Sequence, residues 1–245
     1  MIWDILLASF ALAVGGILKG ATGAGAPVLA IPILAIIFDV PHAVALMVVP
    51  NLFSNISQIR QYRHERITPL FTWGFAGGGA FGAFVGTWML ATLRPELLML
   101  LVAFAVLSYI GFRLLKPDWG LPYPLAEKLA TPVGAIGGML QGASGLSAPA
   151  SITFLNAARL ERGQFIITIS IFFTAMSLVQ IPFLWLWGVL TPQLFGLGVL
   201  ALIPLMGAMP LGAMVGRMVS PVVFDRIILA LLGGISIKLI ATAIP

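Results

Sequence analysis

The residue with the clearest chemical possibilities in this chain is Lys19, an amine set in the glycine-rich run GGILKGATGAGAP at 15–27. A lysine in a membrane interior is costly enough to read as functional. Every acid of the chain (Asp4, Asp39, Glu65, Glu96, Asp118, Glu127, Glu161, Asp225) lies at a segment end or in a loop. A cation without a protein anion points to an anionic ligand; the alternative is a lysine whose long stem reaches an interface or a displaced loop acid. The run recurs 122 positions later as GGMLQGASGLSAP at 137–149, where Gln141, a neutral donor, replaces Lys19. Thr22 in the first copy, with Ser144 and Ser147 in the second, carry hydroxyls that either donate to an oxyanion or cap helix ends.

The copies are identical at the positions of Gly15, Gly16, Leu18, Gly20, Ala21, Gly23, Ala26 and Pro27. A shift close to half of 245 residues marks a duplicated half. Glycine-dense backbone is poor helix material, so each copy is expected to break a helix, with one short helix ending near Gly20 or Gly142. A second is expected to start near Ala26 or Ala148, with Pro27 or Pro149 in its first turn, where proline is favoured. The free N–H groups and dipole of such a helix start attract anions. Candidate binding positions are therefore Lys19, Gly20, Thr22, Gly23 and Ala26, together with Gln141, Gly142, Ser144, Gly145, Ser147 and Ala148. Asn51, Ser54, Asn55 and Gln58 recur at helical spacing in PNLFSNISQ, and Gln180 repeats Gln58 at the same shift. These five either line a permeation path or hydrogen-bond neighbouring helices.

The elements that must position these residues are membrane helices. The chain is 60% hydrophobic and 9% charged, with a mean hydropathy of +1.09, against roughly 25% charged residues in soluble domains. Apolar segments run over 5–18, 28–38, 43–58, 69–91, 97–115, 129–140, 148–155, 165–187, 194–219 and 222–244. Crossing a bilayer takes about 20 residues, and the segments flanking the glycine runs fall short. The expected fold is all-α and polytopic, with roughly 8–10 membrane segments. Each half opens with a pair of short helices around a break and continues with three spanning helices. The halves are 1–115 and 127–245, joined by a linker at 116–126. Gly82 and Gly86, like Gly212 and Gly216, stand four apart on faces suited to close helix packing, within the chain or in a homodimer. Trp3, Trp73, Trp88, Trp185 and Trp187 suit aromatic belts, and His42 an interface.

Loop charge orients the spans. If each opening pair enters and returns to one side, Arg60, Arg63, Arg66, Arg113, Lys116, Lys128, Arg159, Arg162, Arg217 and Arg226 share one face. Arg94 alone falls on the other, with Lys19 and Lys238 inside spans. The positive-inside rule selects this arrangement, which places both termini outside and makes the halves inverted repeats, a transporter architecture. The N-terminus reads as a retained segment, since an acid and no base precedes its apolar run. The absence of cysteine, of a histidine pair and of an acid cluster removes the usual inventory of an enzyme or a metal centre. No cofactor and no nucleic-acid partner is expected; the partners are a small anion and the bilayer, with the co-transported ion unassigned.

The two G-x-x-x-G-A-[TS]-G-x-x-x-P motifs opening homologous halves, followed by an N-x-x-S-x-x-x-Q helix and a basic loop, resemble the sulfite exporter family TauE/SafE, also called toluene sulfonate uptake permeases. The resemblance covers essentially the whole chain. It implies a prokaryotic plasma-membrane transporter of sulfite, sulfoacetate or other organosulfonates. With the cell interior negative, exporting one negative charge gains about 2.3 kcal/mol per 100 mV. Export therefore needs no coupling, whereas uptake needs a co-transported cation. A passive anion channel and a cation-coupled uptake permease remain the alternatives.

Overall fold

The computed structural model describes residues 2–65, 67–115, 119–218 and Gly233. Among the described residues the regular structure is helical, with no strand: α1 (Ile2–Thr22), α2 (Ala26–Ile37), α3 (Val40–Gln61), α4 (Pro69–Thr92), α5 (Pro95–Leu115), α6 (Tyr123–Ser144), α7 (Ser151–Ala157), α8 (Arg162–Leu186) and α9 (Pro192–Met218). Five helices are long and apolar enough to cross a membrane, over Trp3–Thr22, Val40–Gln61, Pro95–Phe112, Arg162–Leu186 and Pro192–Gly216. Apart from Gly233, the expected span at 222–244 lies outside the described residues, as do Arg66, Lys116, Arg226, Lys238 and the last residues of the chain.

Local signals set the helix ends. Pro sits in the first turn of α2, α3, α4 and α6, where its missing N–H costs nothing. The Asp39 carboxylate accepts from the His42 backbone N–H at 2.7 Å to cap α3, and Glu161 with Gln164 forms a capping box on α8.

The opening pairs differ from the expectation of two short helices each. α1 and α6 do end within the glycine runs, at Thr22 and Ser144, two residues past Gly20 and Gly142, but they are long helices of 21 and 22 residues where short ones were expected. The physical reason is packing. A Cβ on Gly16 or Gly20 would fall on the Leu205 or Met209 carbonyl of α9, and one on Gly212 on the Ile17 carbonyl of α1. In the other half a Cβ on Gly138 would meet the Gly79 carbonyl, and one on Gly82 the Ala135 carbonyl. Backbone-to-backbone contact between α1 and α9, and between α4 and α6, outweighs the local helix penalty of glycine. The short members are α2 and α7. α2 begins at Ala26 as expected, but α7 begins at Ser151, with Ala148 and Pro149 in the preceding turn rather than in its first turn.

The packing follows the duplication. A shift of 122 carries α1 onto α6 and α3 onto α8, and α4 corresponds to α9. α1 packs on α9 and α6 on α4, so each opening helix lies against the other half. α3 packs on α8 between these pairs. Contacts gather the described parts of the loops around 62–68, 119–128 and 157–163 at one end of the molecule. There Arg162 Nη2 donates to the Ala21 carbonyl at 3.3 Å, the Leu121 N–H to the Ala157 carbonyl at 2.8 Å, and Thr68 Oγ1 to Glu127 Oε1 at 2.7 Å. The outer surface is apolar: Phe10, Phe81, Phe104 and Ile203 are 66–71% exposed, as lipid-facing side chains are. The exposed Trp3, Trp73, Trp88 and Trp185 lie near helix ends.

Candidate functional site

Lys19 is 0% exposed and is among the largest fully buried side chains. It projects from the last full turn of α1, between α3 and α8. Its Nζ donates to Asn55 Oδ1 at 2.7 Å and stands 5.8 Å from the centre of the Phe173 ring, within cation–π range. Lysine has three N–H donors; Asn55 occupies one, and no acidic side chain among the described residues reaches the others.

Asn55 continues the chain of bonds. Its Nδ2 donates to Asn51 Oδ1 at 2.9 Å and to the Asn51 carbonyl at 2.7 Å. Asn51 Nδ2 in turn donates to Ser177 Oγ of α8 at 3.4 Å. The polar line thus crosses from α1 through α3 to α8. Asn51 also borders a small cavity with Gln141, Gln180 and Pro27 of the first turn of α2. Its free volume is about 10 Å³, close to what one water needs. Gln141 Oε1 and Gln180 Nε2 are buried without a hydrogen-bond partner, an acceptor and a donor left open beside the same space.

The duplication is visible within the network. A shift of 122 relates Lys19 to Gln141, Asn55 to Ser177 and Asn51 to Phe173. Lys19, Asn55 and Phe173 therefore have as their image Gln141, Ser177 and Asn51, with the charge on one side alone. Ser177 and Phe173 were not singled out as site residues from the sequence, although the shift that pairs the glycine runs also pairs Ser177 with Asn55. Ser170 was missed as well; its hydroxyl donates to Gln58 Oε1 at 3.1 Å, and no repeat relation marks it, because its image is Val48.

Other candidate residues have local tasks. Thr22 Oγ1 donates to the Leu18 carbonyl at 2.8 Å and Ser144 Oγ to the Leu140 carbonyl at 2.7 Å, so both hydroxyls serve their own helix ends. Gly23 and Gly145 close those helices with φ of +87° and +73°. Side chains there would be strained and would run into Ile166 and Ile31. Ser151 Oγ donates to Ser147 Oγ at 2.8 Å, and Ser54 Oγ to the Asn51 carbonyl at 3.2 Å. Gly142 packs on α4. Ala148 borders a separate apolar cavity with Val28 and Leu146, away from the Lys19 network. Of the two helix starts, α2 reaches the amide-lined space, through Pro27, and α7 does not.

Toward the basic end a larger cavity of about 420 Å³ opens between α1, α3, α8 and α9. Gly20, Ser57, Gln58 and Ile166 line it with Met206 and Met209. Gly20 and Gln58 each lie within one helical turn of the Lys19–Asn55 bond in sequence, so the cavity ends close to that bond, while Lys19 and Asn55 themselves are buried and do not line it.

The model of the family described as "Sulfite exporter TauE/SafE" matches residues 7–239. The chain belongs to the TauE/SafE sulfite exporter family. No curated protein and no solved structure matches it. The TauE/SafE match spans both glycine runs, Lys19, the amide cluster and the vestibule. As a TauE/SafE chain with several membrane-spanning helices it is a multi-pass membrane transporter of the sulfite-exporter type. Among the described residues no cluster of His, Cys, Asp and Glu is placed to hold a metal.

Proposed function

We propose that this chain is a secondary transporter that exports a small sulfur-containing anion, sulfite or an organosulfonate, by alternating access across the Lys19–Asn55–Asn51 network. The observation that carries the reading is a fully buried lysine whose nearest partners are a neutral amide and an aromatic ring. A buried charge needs compensation, and a bound anion supplies it through the N–H groups that Asn55 leaves open. The unpartnered amides of Gln141 and Gln180 supply neutral hydrogen bonding beside it.

An inverted repeat is supported by the ends that meet. The C-terminus of α3 and the N-terminus of its counterpart α8 border the same vestibule, so the equivalent helices run in opposite directions. The gathering of Arg60, Arg63, Lys128, Arg159 and Arg162 toward that end favours a cytoplasmic vestibule, and hence loading from inside. Export also fits the lack of a buried acid among the described residues, since outward movement of an anion gains energy from the membrane potential without a proton relay.

Counterflow in proteoliposomes tests the reading. Labelled sulfite is expected to enter vesicles faster when unlabelled sulfite is trapped inside, and Lys19→Met is expected to abolish that uptake. Uptake indifferent to internal sulfite would indicate an open channel in place of a carrier. Full transport by Lys19→Met would remove the lysine from the site.

A further inference from the structure

We infer that the site is matched to an anion carrying a single negative charge, and that Gln141 sets this valence by occupying the place where the repeat would put a second lysine. The inference rests on the proposed transport of a sulfur anion and adds which charge form is carried.

One ammonium lies among the described buried side chains; Asn55, to which it is bonded, and Asn51, Gln141 and Gln180, which line the cavity at the far side of that network, are neutral. A monovalent oxyanion bound at Lys19, in a loaded state opened beyond the about 10 Å³ of the cavity here, balances that ammonium. A divalent one brings a second charge with no counterpart among the described buried side chains, and an unpaired charge in a low-dielectric interior is strongly penalised. The repeat marks where a counterpart would stand. Gln141 is the image of Lys19, borders the same cavity as Asn51, and keeps an acceptor atom without a partner. Two lysines would give a site for dianions; one lysine and one glutamine give a site for hydrogensulfite or an alkanesulfonate, ahead of sulfate, the sulfite dianion or a sulfonate that also bears a carboxylate.

Methanesulfonate and sulfate have the same tetrahedral shape and differ by one charge, so they isolate the valence. Binding of each to the purified full chain is measured by calorimetry at constant ionic strength. The wild type is expected to hold methanesulfonate at least about 100-fold more tightly than sulfate. Gln141→Lys is expected to narrow or invert that ratio by tightening sulfate. Sulfite itself is expected to weaken as pH rises and the monoanion is depleted, while methanesulfonate, a monoanion throughout, supplies the control. Equal affinity of the wild type for sulfate and methanesulfonate, with both lost in Lys19→Met, would overturn the valence match and leave the sulfur-anion reading standing. Binding of neither ion, nor of sulfite at any pH, would overturn both. The wild-type ratio decides the matter even where Gln141→Lys does not fold.

Discussion

Lys19→Met separates a lysine kept for binding from one kept for folding, because the two roles predict opposite behaviour in the empty and loaded protein. In the empty protein the substitution loses the Nζ bond to Asn55, a charged hydrogen bond of about 1.5–3 kcal/mol, and the contact with Phe173, about 0.5–2 kcal/mol. It also leaves Asn55 Oδ1 open. Against these losses it removes an ammonium from the membrane interior, which relieves about 2.5–3.5 kcal/mol on insertion scales, and it fills the same channel with an unbranched apolar side chain. The terms nearly cancel, so the empty variant is expected to melt within about 5 °C of wild type, at about 2–4 °C per kcal/mol for a chain of this size. A ligand at 100 times its dissociation constant stabilises the wild type by about 2.7 kcal/mol, or about 5–10 °C. That shift is expected to vanish in the variant. The assay is thermal unfolding in detergent, followed by tryptophan fluorescence, with and without methanesulfonate. A lysine holding the fold through a buried pair would cost about 3–5 kcal/mol when removed. A fall of more than about 10 °C in the empty variant, with the ligand shift retained by the folded fraction, would refute the binding role.

The glycine contacts predict a sharp difference between two neighbouring positions of α4. Gly82→Val pushes side-chain atoms onto the Ala135 carbonyl and is expected to cost at least about 2 kcal/mol, whereas nothing lies within 4 Å of a Cβ at Gly77. Gly77→Ala is therefore expected to be neutral or to add up to about 1 kcal/mol; equal melting temperatures for the two variants would contradict the α4–α6 contact. The absence of native cysteine makes Ser57→Cys a clean probe of the vestibule. A membrane-impermeant maleimide is expected to label it from the cytoplasmic side and more slowly with substrate bound, and labelling only from the outside would reverse the proposed orientation.

The membrane class and the duplication were legible in the sequence because both are long-range statistics that no local packing detail can hide. So was Lys19, since its oddity is one of composition: an amine among apolar residues with every acid elsewhere. The break in each glycine run was legible, but the full length of the helices that lead into it was not. Gly16 and Gly20 weaken α1 when it is considered alone, and their value comes from the Leu205 and Met209 carbonyls more than 180 residues away. A propensity argument has no access to a partner it cannot place. The same limit applies to the hydroxyls. Thr22 and Ser144 sit at equivalent positions and invite a ligand role, yet each returns its proton to the carbonyl four residues back, the local bond that serine and threonine form at helix ends. α7 begins at Ser151 because Ser147 and Ser151 pair with each other and hold 148–150 in a turn, a competition invisible in the motif itself.

The exchange of opening helices between halves constrains how such a carrier can move. α1 is locked to α9 through Gly16, Gly20, Gly212 and Gly216, and α6 to α4 through Gly78, Gly82, Gly138 and Gly142. Backbones in direct contact have no side-chain layer in which to slide, so in the proposed cycle each pair is expected to move as one body, and each body holds helices from both halves. The seam between the bodies is occupied by α3 and α8, which carry Asn51, Asn55, Phe173 and Ser177. Lys19 reaches this seam from the α1–α9 body and Gln141 from the α4–α6 body. In an alternating cycle the charged and the neutral half of the site therefore belong to different moving parts. On the proposed alternating-access reading, an anion held by Lys19 is expected to travel with the α1–α9 body, and the amides of the other body to meet or release it as the seam closes or opens. If Lys19 binds the substrate as proposed, its asymmetry with Gln141 places the substrate on one of the two helix pairs of an otherwise duplicated arrangement.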